Sequence, residues 1–187
     1  MTVIDEIQQD AKQRMRKSVD SLSSELSKVR TGRANAHLLD HVMVEYYGNE
    51  VPINQAATVT VEDVRTIAVT PWENSLVPAI EKAIMKSDLG VNPTTAGTVI
   101  RVIMPPLTEE RRKDLMRIVE NEAEKSRVAI RNIRRDANSD FKDLMKEKEI
   151  SEDEMHQAQG EIQKLTDQFV KEIDSILEQK EKDLMTV

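Results

Sequence analysis

The chain has no cysteine among its 187 residues. That excludes disulfides, thiolate metal centres and a cysteine nucleophile. Glycine is also scarce, at five residues, and none forms G-x-G-x-x-G or G-x-x-x-x-G-K-[ST]. A loop that cradles a nucleotide phosphate is therefore not expected. Two Tyr, two Phe and one Trp are too few rings for a platform that stacks single-stranded bases. No run of about 18 apolar residues occurs, so no membrane span is expected. Met1 to Glu6 lacks the basic stretch and apolar block of a secretion signal, and the cytoplasm is the simplest expected location. No serine sits in G-x-S-x-G, the elbow of many hydrolases. His37 and His41 are four apart, a spacing that could hold a metal on a helix. They have no third ligand and no H-E-x-x-H around them. The expectation is a protein with no metal, no cofactor and no catalytic site, and not an enzyme. Trp72, after Pro71, is expected in a core.

What remains is pattern. Ile4, Ile7, Ala11, Met15, Val19, Leu22, Leu26 and Val29 recur at steps of three and four, one face of a helix over residues 2–29. Thr2 and Asp5 resemble a capping box, and Gly32 supplies a stop. Strand signals follow, all between 42 and 104. Residues 42–53 read as a hairpin, with Gly48-Asn49 as a type II′ turn. Runs at 57–61, 66–69 and 98–104 are rich in β-branched residues. A short helix is expected behind Asn74 or Ser75. Pro105-Pro106 then cuts the chain. A second long helix begins behind Thr108 and runs to about 146, and a third starts at the capping box Ser151–Glu154.

Helices with such continuous apolar faces are not stable alone, and three of them can bury one another. Residues 1–30 should therefore pack with 105–187 as a discontinuous three-helix bundle, with 31–104 inserted as a second, α/β domain. The class is α+β with two domains. The two crossings make a candidate hinge pair, at Arg30, Thr31, Gly32 and at Met104, Pro105, Pro106.

The net charge of −7 argues against a polyanionic partner until it is resolved along the chain. Residues 136–187 hold 7 Lys and Arg against 15 Asp and Glu, whereas 105–135 hold 9 against 6. The second long helix is thus the basic one. At 100° per residue, Lys113, Arg117, Arg127, Arg131, Arg134 and Arg135 fall beside its apolar stripe of Leu115, Val119, Ile130, Ile133, Ala137, Phe141 and Leu144. Two interpretations are open. The line is a solvated face with pairs such as Glu124 and Arg127, or it is a grip for phosphate, which arginine's planar fork matches.

Several ordered motifs carry a family resemblance. They are Val29-Arg30-Thr31-Gly32-Arg33-Ala34, Tyr47-Gly48 with Val51-Pro52-Ile53-Asn54-Gln55, Pro71-Trp72, Ser87-Asp88-Leu89-Gly90-Val91-Asn92-Pro93, 103–112 (IMPPLTEERR) and 127–137 (RVAIRNIRRDA). Together they span the chain, which resembles the bacterial ribosome recycling factor family. The resemblance implies an L-shaped protein, a long antiparallel three-helix bundle with an inserted small β/α/β sandwich domain. It implies a monomer that binds the 70S ribosome after termination, mainly through the 23S rRNA of the 50S subunit. With the GTPase elongation factor G and GTP, such proteins split the ribosome into subunits. The positions matching the family's RNA-contacting arginines are Arg131, with Arg127, Arg134 and Arg135 around it. Arg30 and Arg33 match a second basic element at the joint. From another class, a chaperone-like helical protein would show no dependence on the arginine line.

Overall fold

The computed structural model describes residues 1–29 and 31–185. They form two compact units, 1–29 with 109–185 and Thr31–Thr108.

The first unit is three helices: α1 (Val3–Ser27), α3 (Glu109–Lys146) and α4 (Glu152–Met185). The seam follows the sequence period. Ala11, Met15, Val19, Leu22 and Leu26 are buried on α1, and Leu115, Val119, Ile130, Ile133, Ala137 and Phe141 on α3. Met155, Ala158, Ile162, Phe169 and Ile173 complete it from α4. Each helix packs against both others. Both capping boxes form. Thr2 N–H donates to Asp5 Oδ2 at 2.8 Å while Thr2 Oγ1 accepts from Asp5 N–H at 3.2 Å. Ser151 and Glu154 do the same at 2.7 and 3.1 Å. Each satisfies donors that a helix start leaves without partners. At the rim, Arg16 donates twice to Glu172 (2.7 and 3.0 Å) and lies 4.7 Å from the centre of the Phe169 ring, so it fastens α1 to α4.

The second unit is a two-stranded hairpin, β1 (Met43–Tyr46) and β2 (Asn49–Pro52), with a four-stranded antiparallel sheet. That sheet has the order β3 (Ala57–Val61), β4 (Thr66–Pro71), β6 (Val99–Ile103), β5 (Pro93–Ala96). Helix α2 (Val77–Lys86) contributes Ile80 and Ile84 to a core with Ile67, Val69, Ile100 and Val102, to which the hairpin segment adds Leu39, Val44 and Ile53.

Three local expectations are corrected here. The hairpin turns at Tyr47-Gly48, one residue earlier than expected. Both residues have positive φ (49° and 79°), the type I′ pattern that matches strand twist. Strand β5 occupies a Pro-Thr-Thr-Ala stretch with little strand signal; it is held by pairing along β6, from Pro93↔Val102 to Ala96↔Val99. Trp72 is 59% exposed rather than in a core. Pro71 ends β4 pointing inward and is buried, so alternation turns the next side chain out. Its indole N–H donates to Thr58 Oγ1 at 3.2 Å.

Candidate nucleic-acid interface

Helix α3 runs 38 residues without a break, about 57 Å at 1.5 Å per residue. Its buried stripe is fixed against α1 and α4, so the flank beside that stripe is held rigidly. Lys113, Arg117, Arg127, Arg131, Arg134 and Arg135 share an arc of about 100° on this flank, at 100° per residue. The same arc contains Glu120 and Glu124. The structure thus gathers all six expected side chains on one surface, none of them fully buried.

Their partners divide them. Arg127 is the most enclosed, with its side chain 21% exposed. Its Nη2 and Nε donate to Asp174 Oδ1 on α4 at 2.6 and 3.1 Å, and its Nη1 to Glu124 Oε2 at 3.2 Å. Arg131 Nη2 donates to the other oxygen of Glu124 at 2.5 Å. Glu124 therefore bridges two arginines. Arg131 first and Arg127 second hold its carboxyl below the usual carboxylate range. The Asp174 carboxylate, ahead of Glu124, raises the pKa of Arg127. Arg134 Nη1 donates to Gln163 Oε1 at 3.2 Å, and Gln163 is itself tethered to Asp167 at 2.8 Å. Lys113, Arg117 and Arg135 are exposed. They make no hydrogen bond or ion pair among the described residues.

The intrahelical pair of Glu124 with Arg127 foreseen from spacing is present, so part of the line is a paired face. Sequence reasoning missed Asp174 and Gln163, 47 and 29 residues from their arginines. Helical spacing within α3 carries no signal for partners supplied by α4.

The residues expected at the joint are placed as follows. Arg30 lies outside the described residues. Gly32 takes φ 76°, a left-handed conformation that glycine adopts without strain. Just beyond it, Ala34 N–H donates to Val64 O, and Met104 N–H donates to Arg65 O, both at 2.7 Å. Chain entry and exit are thus tied to one loop of the second unit. Met104 is 3% exposed within that unit's core, whereas Pro105 and Pro106 are exposed. Thr31 is half-buried and Arg33 exposed. His37 Nδ1 lies 3.0 Å from Asp40 Oδ2. Among the described residues no group of three or more His, Cys, Asp or Glu is placed to hold a metal. No described helix is long and apolar enough to cross a membrane.

Arginines spaced along a long, braced helix can bind a structured phosphate backbone without reading bases. The family model for ribosome recycling factor matches residues 22–185. A ribosome-recycling factor of Legionella pneumophila (strain Paris) is 61% identical over 185 residues, covering 99% of this chain and 100% of that protein. One of Thioalkalivibrio sulfidiphilus is 64% identical over 183 residues, covering 98% and 99%. Among solved structures, a solution structure of the ribosome recycling factor superposes with a TM-score of 0.79 at 42% identity, covering both chains completely. Models for the T. thermophilus ribosome recycling factor and the E. coli elongation factor G bound to the E. coli post-termination complex give a TM-score of 0.67. There the identity is 49%, covering 98% of this chain and 100% of that one.

Proposed function

This chain belongs to the ribosome recycling factor family, and from that premise we propose how it acts. It binds the post-termination ribosome and, with elongation factor G and GTP, splits it into subunits, releasing it for a new round of translation. It supplies no catalysis of its own; the energy comes from GTP hydrolysis by its partner. It works as a cytoplasmic monomer. The observation that carries this reading is the basic line on α3, solvent-facing along a braced helix in a chain whose total charge is −7. Such a line would contact rRNA phosphates, chiefly the 23S rRNA of the large subunit. The acidic remainder disfavours binding to arbitrary nucleic acid.

The Pro105-Pro106 crossing and the Thr31-Gly32 crossing would serve as the hinge between an rRNA-anchored bundle and a second unit on which elongation factor G acts. Met104, packed in the core of the second unit, would move with that unit.

The test is subunit dissociation followed by light scattering, with and without elongation factor G and GTP. Ribosome affinity should fall steeply with salt, and R131A/R134A should weaken binding and lower the salt slope by at least about 1. Unchanged affinity in R131A/R134A would remove the line from the interface.

A further inference from the structure

The line on α3 holds less available charge than its arginines suggest. Asp174, Arg127, Glu124 and Arg131 form one continuous chain of ion pairs, two carboxylates alternating with two guanidiniums. Its net charge is zero. Beyond it, Arg134 is held only by the neutral Gln163, and Arg135 has no partner among the described residues.

The two arginines of the chain are not equivalent. Arg127 spends Nε and Nη2 on Asp174 and Nη1 on Glu124, and its side chain is 21% exposed. Three of its five N–H donors are taken, which leaves it little to offer a phosphate, and it ties α3 to α4. Arg131 uses only Nη2, on Glu124, and its side chain is 43% exposed. A phosphate can reach it, but only where the Glu124 carboxylate now sits or beside it, against like-charge repulsion.

We infer that Glu124 is a built-in competitor for the phosphate backbone. In the free protein it occupies Arg131, Arg127 and Asp174 hold it in place, and RNA binding exchanges its carboxylate for a phosphate at Arg131. Arg127 is then a positioning residue that braces the bundle and sets Glu124. The phosphate contacts of this part of the helix are Arg131, Arg134 and Arg135. The consequence is tempered affinity. Each exchange trades one anion for another, so the net gain is the difference between two charge-assisted hydrogen bonds rather than a whole one. A factor that must leave the ribosome after each round benefits from such a brake. The inference rests on the reading of this flank as rRNA-facing.

The experiment measures affinity for 70S ribosomes as a function of salt for E124Q, R127A, R131A and the double variant E124Q/R131A, with thermal melts of each. E124Q should bind roughly threefold to fivefold tighter at low salt, the scale of an exposed ion pair removed. Its salt slope should steepen by about 1, so that the gain fades about fourfold between roughly 50 and 200 mM salt. R131A should change the slope little, because Arg131 gives up Glu124 as it takes a phosphate, and in its background E124Q should give little gain and no steeper slope. R127A should lower the melting temperature and leave the slope unchanged. E124Q binding more weakly, or gaining equally with and without Arg131, would overturn the competitor. A slope reduced by about 1 in R127A would return Arg127 to the contacts and overturn its positioning role. If R134A/R135A, which removes the two arginines outside the ion-pair chain, leaves affinity and slope unchanged, the rRNA-facing reading falls, which is a separate failure.

Discussion

Gly160 offers a substitution whose expected sign runs against the general trend that mutations destabilise. It sits inside the 34-residue helix α4, is solvent-exposed, and a Cβ built on it meets nothing within 4 Å. No close approach or turn asks for glycine there. In a helix interior, glycine is worth about 0.8–1 kcal/mol less than alanine, because it loses more backbone freedom on folding. With no steric cost to subtract, Gly160→Ala should recover nearly all of that. For a bundle of this size the gain corresponds to a rise of about 3–6 °C in melting temperature. Circular dichroism at the helical band reads the melt, and denaturant unfolding checks it through a higher midpoint at unchanged slope. Ribosome affinity should not change, since Gly160 contributes no side chain to the arginine line. A melting temperature equal to or below that of the parent would refute the reasoning from open space and propensity. Weaker ribosome binding with a normal melt would show that the bare backbone at this point is approached by the ribosome.

Two further outcomes follow from the packing and the chain path. Phe141→Ala removes a side chain with no exposed surface at the α3 seam and should destabilise the protein by about 3–5 kcal/mol; a loss below about 1 kcal/mol in denaturant unfolding would mean the seam collapses around the void. Cross-linking the two units through engineered cysteines, in a chain that has none of its own, should leave ribosome binding intact and abolish splitting in the light-scattering assay. Normal splitting by the locked protein would discard the hinge.

The helices were legible because their signals are local or strongly periodic. Ala11, Met15, Val19, Leu22 and Leu26 lie on one face by spacing alone, and that face has to find apolar partners. Among the long helices α3 and α4 carry matching stripes, which brings residues more than 100 positions apart together. Both capping boxes were visible for the same reason, since donor and acceptor are three residues apart. The second unit was less legible where neighbours overrule local preference. Strand β5 reads Pro-Thr-Thr-Ala and exists because β6 offers it an edge. Trp72 looked like core by its chemistry, and its actual direction follows from the register of β4, with Ala57 opposite Pro71. The hairpin turn was displaced because Gly48 can serve as either turn residue, and only the pairing Tyr46↔Asn49 decides between them.

The candidate site shows the same division more sharply. That α3 is basic and that its basic residues share a flank are properties of one helix, so counting charge at 100° per residue finds them. How much of that charge is available to a ligand depends on a second helix. Glu124 lies close enough in sequence to be anticipated as a partner of Arg127, but its second bond, to Arg131, spans seven residues and depends on where Arg127 is held. Arg127 is held by Asp174, and no spacing rule within α3 places α4 at the rotation that brings Asp174 there. Charge composition therefore identifies the surface, while the packing of α3 on α4 determines which guanidiniums on it still have a hydrogen-bonding face to offer. The same six cations on an isolated helix would make a stronger and less discriminating polyanion binder, because Arg127 would be released from Asp174 and Glu124 would lose the anchor that keeps it on Arg131.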